Sequence, residues 1–200
     1  MKKQKLGIWL AYIMQSVILV YIVLAFIKRD YLDVFGGIIA LFITFLPLIL
    51  KRKWRITLPW WLNLLVVFSL FLHMGGQVRE WYILFYPFYD KFGHFVGSAT
   101  IALLGFASAL IGEKFSNINL NKGQMIFFII IFTMAIGSFW EIGEFILDQT
   151  IGTNAQHGLI DTMQDLIFNF FGSLIIAFII FLKIDERKKM ELIKKLWVLK

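Results

Sequence analysis

Of the chain's 200 residues 60% are hydrophobic and only 16% charged, and the mean hydropathy of +0.78 lies outside the range of soluble globular domains. There is no cysteine, which excludes a disulfide framework, a thiol nucleophile and a thiolate metal site, so any metal must be held by histidine and carboxylate. The net charge of +7 needs no nucleic acid to account for it, because the basic residues are placed as a membrane topology places them.

In chain order, six apolar stretches approach the ~20 residues that span a bilayer. They run from Leu6 to Ile27, Val34 to Leu50, Leu58 to Met74, Phe92 to Ile111, Met125 to Leu147 and Thr162 to Leu182. The first follows Lys2, Lys3 and Lys5 but is too long for a signal peptide and lacks a small-residue cleavage site, so it is expected to remain as a helix. The second carries Gly36, Gly37 and Pro47, which membrane helices tolerate. The expected fold is all-α, a polytopic membrane helix bundle. One six-helix transmembrane domain fills 1–182, and a basic amphipathic tail fills 183–200. In that tail Lys and Arg alternate with Ile184, Met190, Ile193, Leu196 and Trp197, as in an interfacial helix.

With the N-terminus inside, sixteen of the twenty Lys and Arg fall on the cytoplasmic side and only Lys28, Arg29, Arg79 and Lys91 outside. The positive-inside rule therefore predicts both termini in the cytoplasm. Acidic residues are distributed the other way, nine of thirteen being outside and most of them around the last three stretches.

Glu141, Glu144 and Asp148 follow i, i+3, i+7 spacing, one stripe of a helix on which Glu141 lies ~10 Å deeper than Asp148. His157, Asp161, Asp165 and Asn169 form a second stripe if the sixth helix starts early enough, and Asp90 with His94 forms a third. Ionisable groups in a membrane interior are costly and face a cavity or one another, so three converging stripes predict a polar site toward the outer leaflet. Lys91 and His73 stand at its rim, and the aromatic run Trp81 to Tyr89 forms an interfacial belt. An internal similarity supports the geometry: DKFGHFVGS at Asp90–Ser98 and DLIFNFFGS at Asp165–Ser173 both fit D-x-x-x-[H/N]-F-x-G-S. Gly93, Gly97 and Gly105 also read as a small face for close helix packing.

The DKFGHF segment, the WEIGEFILD helix and the segment from Asn154 to Ser173 resemble the YjdF-type family of bacterial membrane proteins and, more distantly, VanZ-like proteins. That resemblance covers roughly Trp81 to Ser173 and implies a multi-pass protein of the bacterial plasma membrane. It implies Asp90, His94, Glu141, Glu144, Asp161, Asp165 and Asn169 as characteristic positions. VanZ-like proteins are associated with glycopeptide resistance, which points toward the cell envelope, although Glu144 and the NAQHG segment set this chain apart.

Two classes of function follow. In the first, a metal-dependent enzyme acts on a lipid or lipid-linked envelope substrate. His94, Glu141, His157, Asp161 and Asp165 hold zinc or manganese, and Glu144 or Asp148 serves as general base. In the second, the same stripes belong to a proton- or cation-coupled transporter; a non-catalytic envelope assembly factor is a further alternative. Topology is directly testable. Cysteines at Gly75 and Thr153 should react with membrane-impermeant thiol reagents in intact cells, and labelling of a cysteine at Asn119 would refute the six-helix arrangement.

Overall fold

The structure, a computed structural model, describes residues 2–116 and 118–196. Among these the chain is all helical apart from its connections: α1 (Lys2–Lys28), α2 (Tyr31–Trp54), α3 (Trp60–Val78), α4 (Trp81–Leu84), α5 (Phe88–Phe115), α6 (Lys122–Ile151), α7 (Leu159–Lys183) and α8 (Glu186–Leu196). All but α4 and α8 are long and apolar enough to cross a membrane, and they coincide with the six expected stretches. The helices extend a few residues beyond each apolar run because capping and charged residues still satisfy the terminal backbone groups there. Asp30 accepts from the Asp33 N–H before α2, and Asn121 forms a capping box with Gln124 before α6. Pro47 lies inside an uninterrupted α2. The tail forms a helix at α8, while Trp197 lies outside the described residues.

Packing divides the chain into two compact units, one running to Gly93 and including the chain from Glu191 onward, the other spanning His94–Met190. In the first, α1 packs on α2 and α3 around Ile18, Tyr21, Ala25, Ala40, Met74 and Val78. Gln15 donates to Thr44 Oγ1 at 3.0 Å between α1 and α2, a rare polar link in an apolar interface. The aromatic run is only partly a belt: Trp81 and Tyr89 pack edge-on against one another, and the Tyr89 hydroxyl donates to the Leu72 carbonyl at 2.7 Å, closing the end of α3. The glycines of that end are buried, since α3 continues to Val78 and a side chain at Gly75 would run into the Trp81 ring. Ile83, 75% exposed, is therefore the sound labelling position on that side.

In the second unit α5, α6 and α7 meet through small residues. Gly105 faces Phe132, Gly137 faces the Asn169 amide, and Gly172 sits on the Ser98 hydroxyl and the Phe95 carbonyl. The expected small face on α5 is only partly used, since nothing lies within 4 Å of where a side chain would begin at Gly93 or Gly97. At the far end of this unit Lys189 of α8 is buried and tied to the α5–α6 connection, donating to Asn119 Oδ1 at 2.9 Å and the Leu120 carbonyl at 3.1 Å. Ion pairs to Glu186 at 3.0 Å and Glu113 at 3.4 Å complete its shell. Burial works against its charge, but the hydrogen bonds and attraction of Glu186 and Glu113 outweigh that and hold its pKa above the ordinary lysine value.

The equivalent glycines of the two similar segments thus have different surroundings. Gly172→Ala should destabilise the protein by about 1–3 kcal/mol, because the new methyl would lie 2.8 Å from a backbone oxygen that cannot move away. Gly97→Ala should leave stability unchanged or raise it by up to ~1 kcal/mol through helix propensity. Thermal unfolding in a fixed detergent compares the two.

Candidate polar site of the second helical unit

The site is built on α5, α6 and α7. Glu141 lies one turn beyond Gly137 on α6, and Asn169 lies one turn beyond Asp165 on α7. Because glycine at 137 lets α7 approach until the Asn169 amide is 2.6 Å from where a side chain would begin, the polar faces of α6 and α7 share one buried layer. On the other flank Gly172 brings α7 against Ser98 of α5. His94, one turn before Ser98, is thereby set between the two carboxylates. Its Nδ1 lies 3.8 Å from Glu141 Oε1, and its Nε2 lies 3.7 Å from Asp165 Oδ1. The side chains are 11%, 5% and 2% exposed for His94, Glu141 and Asp165.

This carboxylate–imidazole–carboxylate array is chemically specific. Each ring nitrogen faces its own acid at a separation beyond a good hydrogen bond and close to that of two ligands on one ion. One imidazole cannot give both nitrogens to the same ion, so the two faces of His94 must differ in role. His94 and Asp165 offer ligand atoms close enough together to hold a metal. Asp90 precedes His94 by one turn on the same helix, and its carboxylate accepts from Lys91 Nζ at 3.0 Å. In the same buried layer the Asn169 Nδ2 and Thr162 Oγ1 atoms have no hydrogen-bond partner among the described residues.

The other expected residues are distributed differently. α7 begins at Leu159, so His157 stands outside its helix, in a left-handed conformation with φ 51°, between Gly152 and Gly158 as the turn points. Its Nδ1 still reaches Asp161 Oδ2 at 3.7 Å, forming a pair in which the histidine is 47% and the acid 13% exposed. Asp148 holds the 153–156 loop, accepting from the Thr153 hydroxyl at 2.5 Å and from the Ala155 and Gln156 N–H groups at 2.7 and 3.0 Å. Glu144 accepts from the Trp140 indole at 2.8 Å. His73 and Lys91 lie in the first unit, where His73 Nδ1 is 3.1 Å from the Tyr82 hydroxyl. Sequence spacing did not single out Gly137 or Thr162, and it marked Gly172 only as the glycine of the repeated D-x-x-x-[H/N]-F-x-G-S pattern. The signal present was their position one turn from Glu141, two turns from Asp165 and just under a turn from Asp165 on the same helices.

The two similar segments run in the same direction. His94 faces Asp165, one turn before the Asn169 that the alignment gives it, whereas Ser98 meets Gly172, one residue from its aligned Ser173, so the two segments cross without keeping a constant register.

An uncharacterised protein of Thermotoga maritima is 30% identical over 164 residues, covering 81% of this chain and 83% of its own. No solved structure matches the chain. The family model described as predicted membrane protein (DUF2238) matches residues 9–186, a span that takes in nearly all of the six apolar helices and the whole polar layer of α5, α6 and α7. On that match and those helices, the chain belongs to the DUF2238 family of predicted membrane proteins.

Proposed function

We propose that this chain is a multi-pass protein of the bacterial plasma membrane that holds a divalent cation at His94 and Asp165 and uses it on a lipid or lipid-linked envelope substrate. The observation that carries this reading is the buried imidazole with a carboxylate on each nitrogen. Such clusters are costly in a membrane interior unless positive charge is supplied. Zinc or manganese suits mixed imidazole and carboxylate donors. In this reading Nε2 and Asp165 face the ion, and Glu141 on Nδ1 fixes the tautomer and aim of the ring, as second carboxylates do at metal-bound histidines. Asp90 shares the His94 face of α5 by its i, i+4 spacing and adds a carboxylate to it. The Asn169 amide N–H groups, buried and without a partner among the described residues, are donors for a substrate oxygen. The ion would acidify a bound water for hydrolysis, and the surrounding helices would keep bulk solvent out. Glu144 and Asp148, engaged by Trp140 and the 153–156 loop, serve to order that end of α6. The positive-inside distribution places both termini in the cytoplasm and the site toward the outer leaflet.

A second reading, proton- or cation-coupled transport, is favoured by the same array, since an imidazole between two acids can pass a proton from one to the other. Metal analysis separates the two. Full-length protein purified in detergent should retain about one zinc or manganese ion per chain, lost on chelation. His94→Ala and Asp165→Asn should abolish retention, while Glu141→Gln should weaken it by ~10–100-fold without preventing membrane insertion. Metal-free wild-type protein that conducts protons in liposomes, with conduction lost in His94→Ala, would replace the enzyme reading with transport.

A further inference from the structure

At the other end of the second unit, where α6 begins and α7 gives way to α8, lies a cavity of about 250 Å³. It is some 16 residues, or ~24 Å along α6, from Glu141. Met125, Ile126, Ile180 and Ile184 form its apolar wall, and Lys122 and Asp185 stand among its charged residues. This is the depth at which the apolar spans end and charged residues begin, so its natural occupant has both an apolar and a charged part.

The charges say which. Lys189 and Glu186 also line the cavity, but they are paired with one another at 3.0 Å, and Lys189 is further saturated by Glu113, Asn119 and the Leu120 carbonyl. Lys122 makes no ion pair among the described residues, and its ammonium rests 4.4 Å from the centre of the Phe181 ring. Asp185 accepts from the Lys188 N–H at 2.8 Å, and its other oxygen lies 3.8 Å from the Lys188 ammonium in an i, i+3 pair whose side chains are both more than half exposed, a contact that holds little and exchanges readily. One cation without an ion pair among the described residues and one exposed, weakly held anion thus stand beside an apolar wall. A purely anionic head group would meet Asp185 and Glu186 at like charge, and a trimethylated ammonium has no N–H for a carboxylate.

The geometry points to a binding site for one zwitterionic aminophospholipid of the phosphatidylethanolamine type, its phosphate on Lys122, its ammonium on Asp185 and its first methylenes against Met125, Ile126, Ile180 and Ile184. The site is independent of the metal reading. α8, docked by Lys189, forms part of its wall and ties it to the membrane surface.

The test uses the full chain in nanodiscs made of equal parts phosphatidylethanolamine, phosphatidylglycerol and phosphatidylcholine, followed by native mass spectrometry of lipid retained on release. One phosphatidylethanolamine per chain is expected. Lys122→Gln and Asp185→Asn should each reduce its retention about tenfold, as the loss of one charge-assisted contact does. Ile180→Trp, which fills the cavity, should remove it, and His94→Ala should leave it in place. A second measurement needs no variant: with wild-type protein, retention should fall stepwise from ethanolamine to its mono-, di- and trimethyl lipids as N–H donors disappear. Equal retention of the three head groups or across the methylation series would overturn the proposal, as would wild-type retention in both Lys122→Gln and Asp185→Asn.

Discussion

Burying ionisable groups between membrane-spanning helices costs free energy that no amount of apolar packing nearby returns, and the second unit is arranged around that constraint. His94 is the only group in the array able to carry positive charge, and it is placed within 4 Å of both Glu141 and Asp165. A low surrounding dielectric strengthens these attractions and equally strengthens the repulsion between the two acids. The array is therefore stable only if its protons, or a bound cation, are distributed among all three groups as a unit.

Such an array needs helices closer together than ordinary side chains permit. Lipid tails are as apolar as leucine, so burial of apolar surface does not draw membrane helices together as it does in water, and close packing through small residues takes its place. Gly137 and Gly172 supply it at two points, one for each neighbour of the α7 face. Asn169 and Ser98 fill the space those glycines leave, so the packing contacts and the polar layer are the same set of residues. At the solvent end, Asp148 anchors the loop that carries His157, and the His157–Asp161 pair marks the more exposed edge of the same polar face.

The opposite end of the unit meets the same constraint in another way. Lys189 is buried as deeply as the site acids, yet it collects two carboxylates, an amide oxygen and a backbone carbonyl and keeps its charge. Its shell joins α8 to the α5–α6 connection, so a basic surface helix with an apolar side is held at the end of the bundle segment it follows.

By itself the sequence determined the class of fold and the places of its elements: runs of apolar residues of spanning length leave few alternatives when every backbone group must be satisfied within the helix. All six expected spans are present, from the first at α1 to the last at α7. Helical spacing also put His94, Glu141, Asp165 and Asn169 on polar stripes, because i, i+4 periodicity is a property of one helix alone. Only the tertiary structure decided which stripes meet. Helix packing is set by steric contacts between segments distant in sequence, so nothing local could reveal that Gly172, rather than Gly97, is the point of close approach. Nor could it reveal that His94 faces Asp165 and not the Asn169 it aligns with. Asp148 and Glu144 belong to the Glu141 stripe by spacing, but the carboxylate of one is taken up by a loop and that of the other by an indole. Those partners lie within reach only because the chain folds back at Gly152 and the Trp140 ring turns along its own helix.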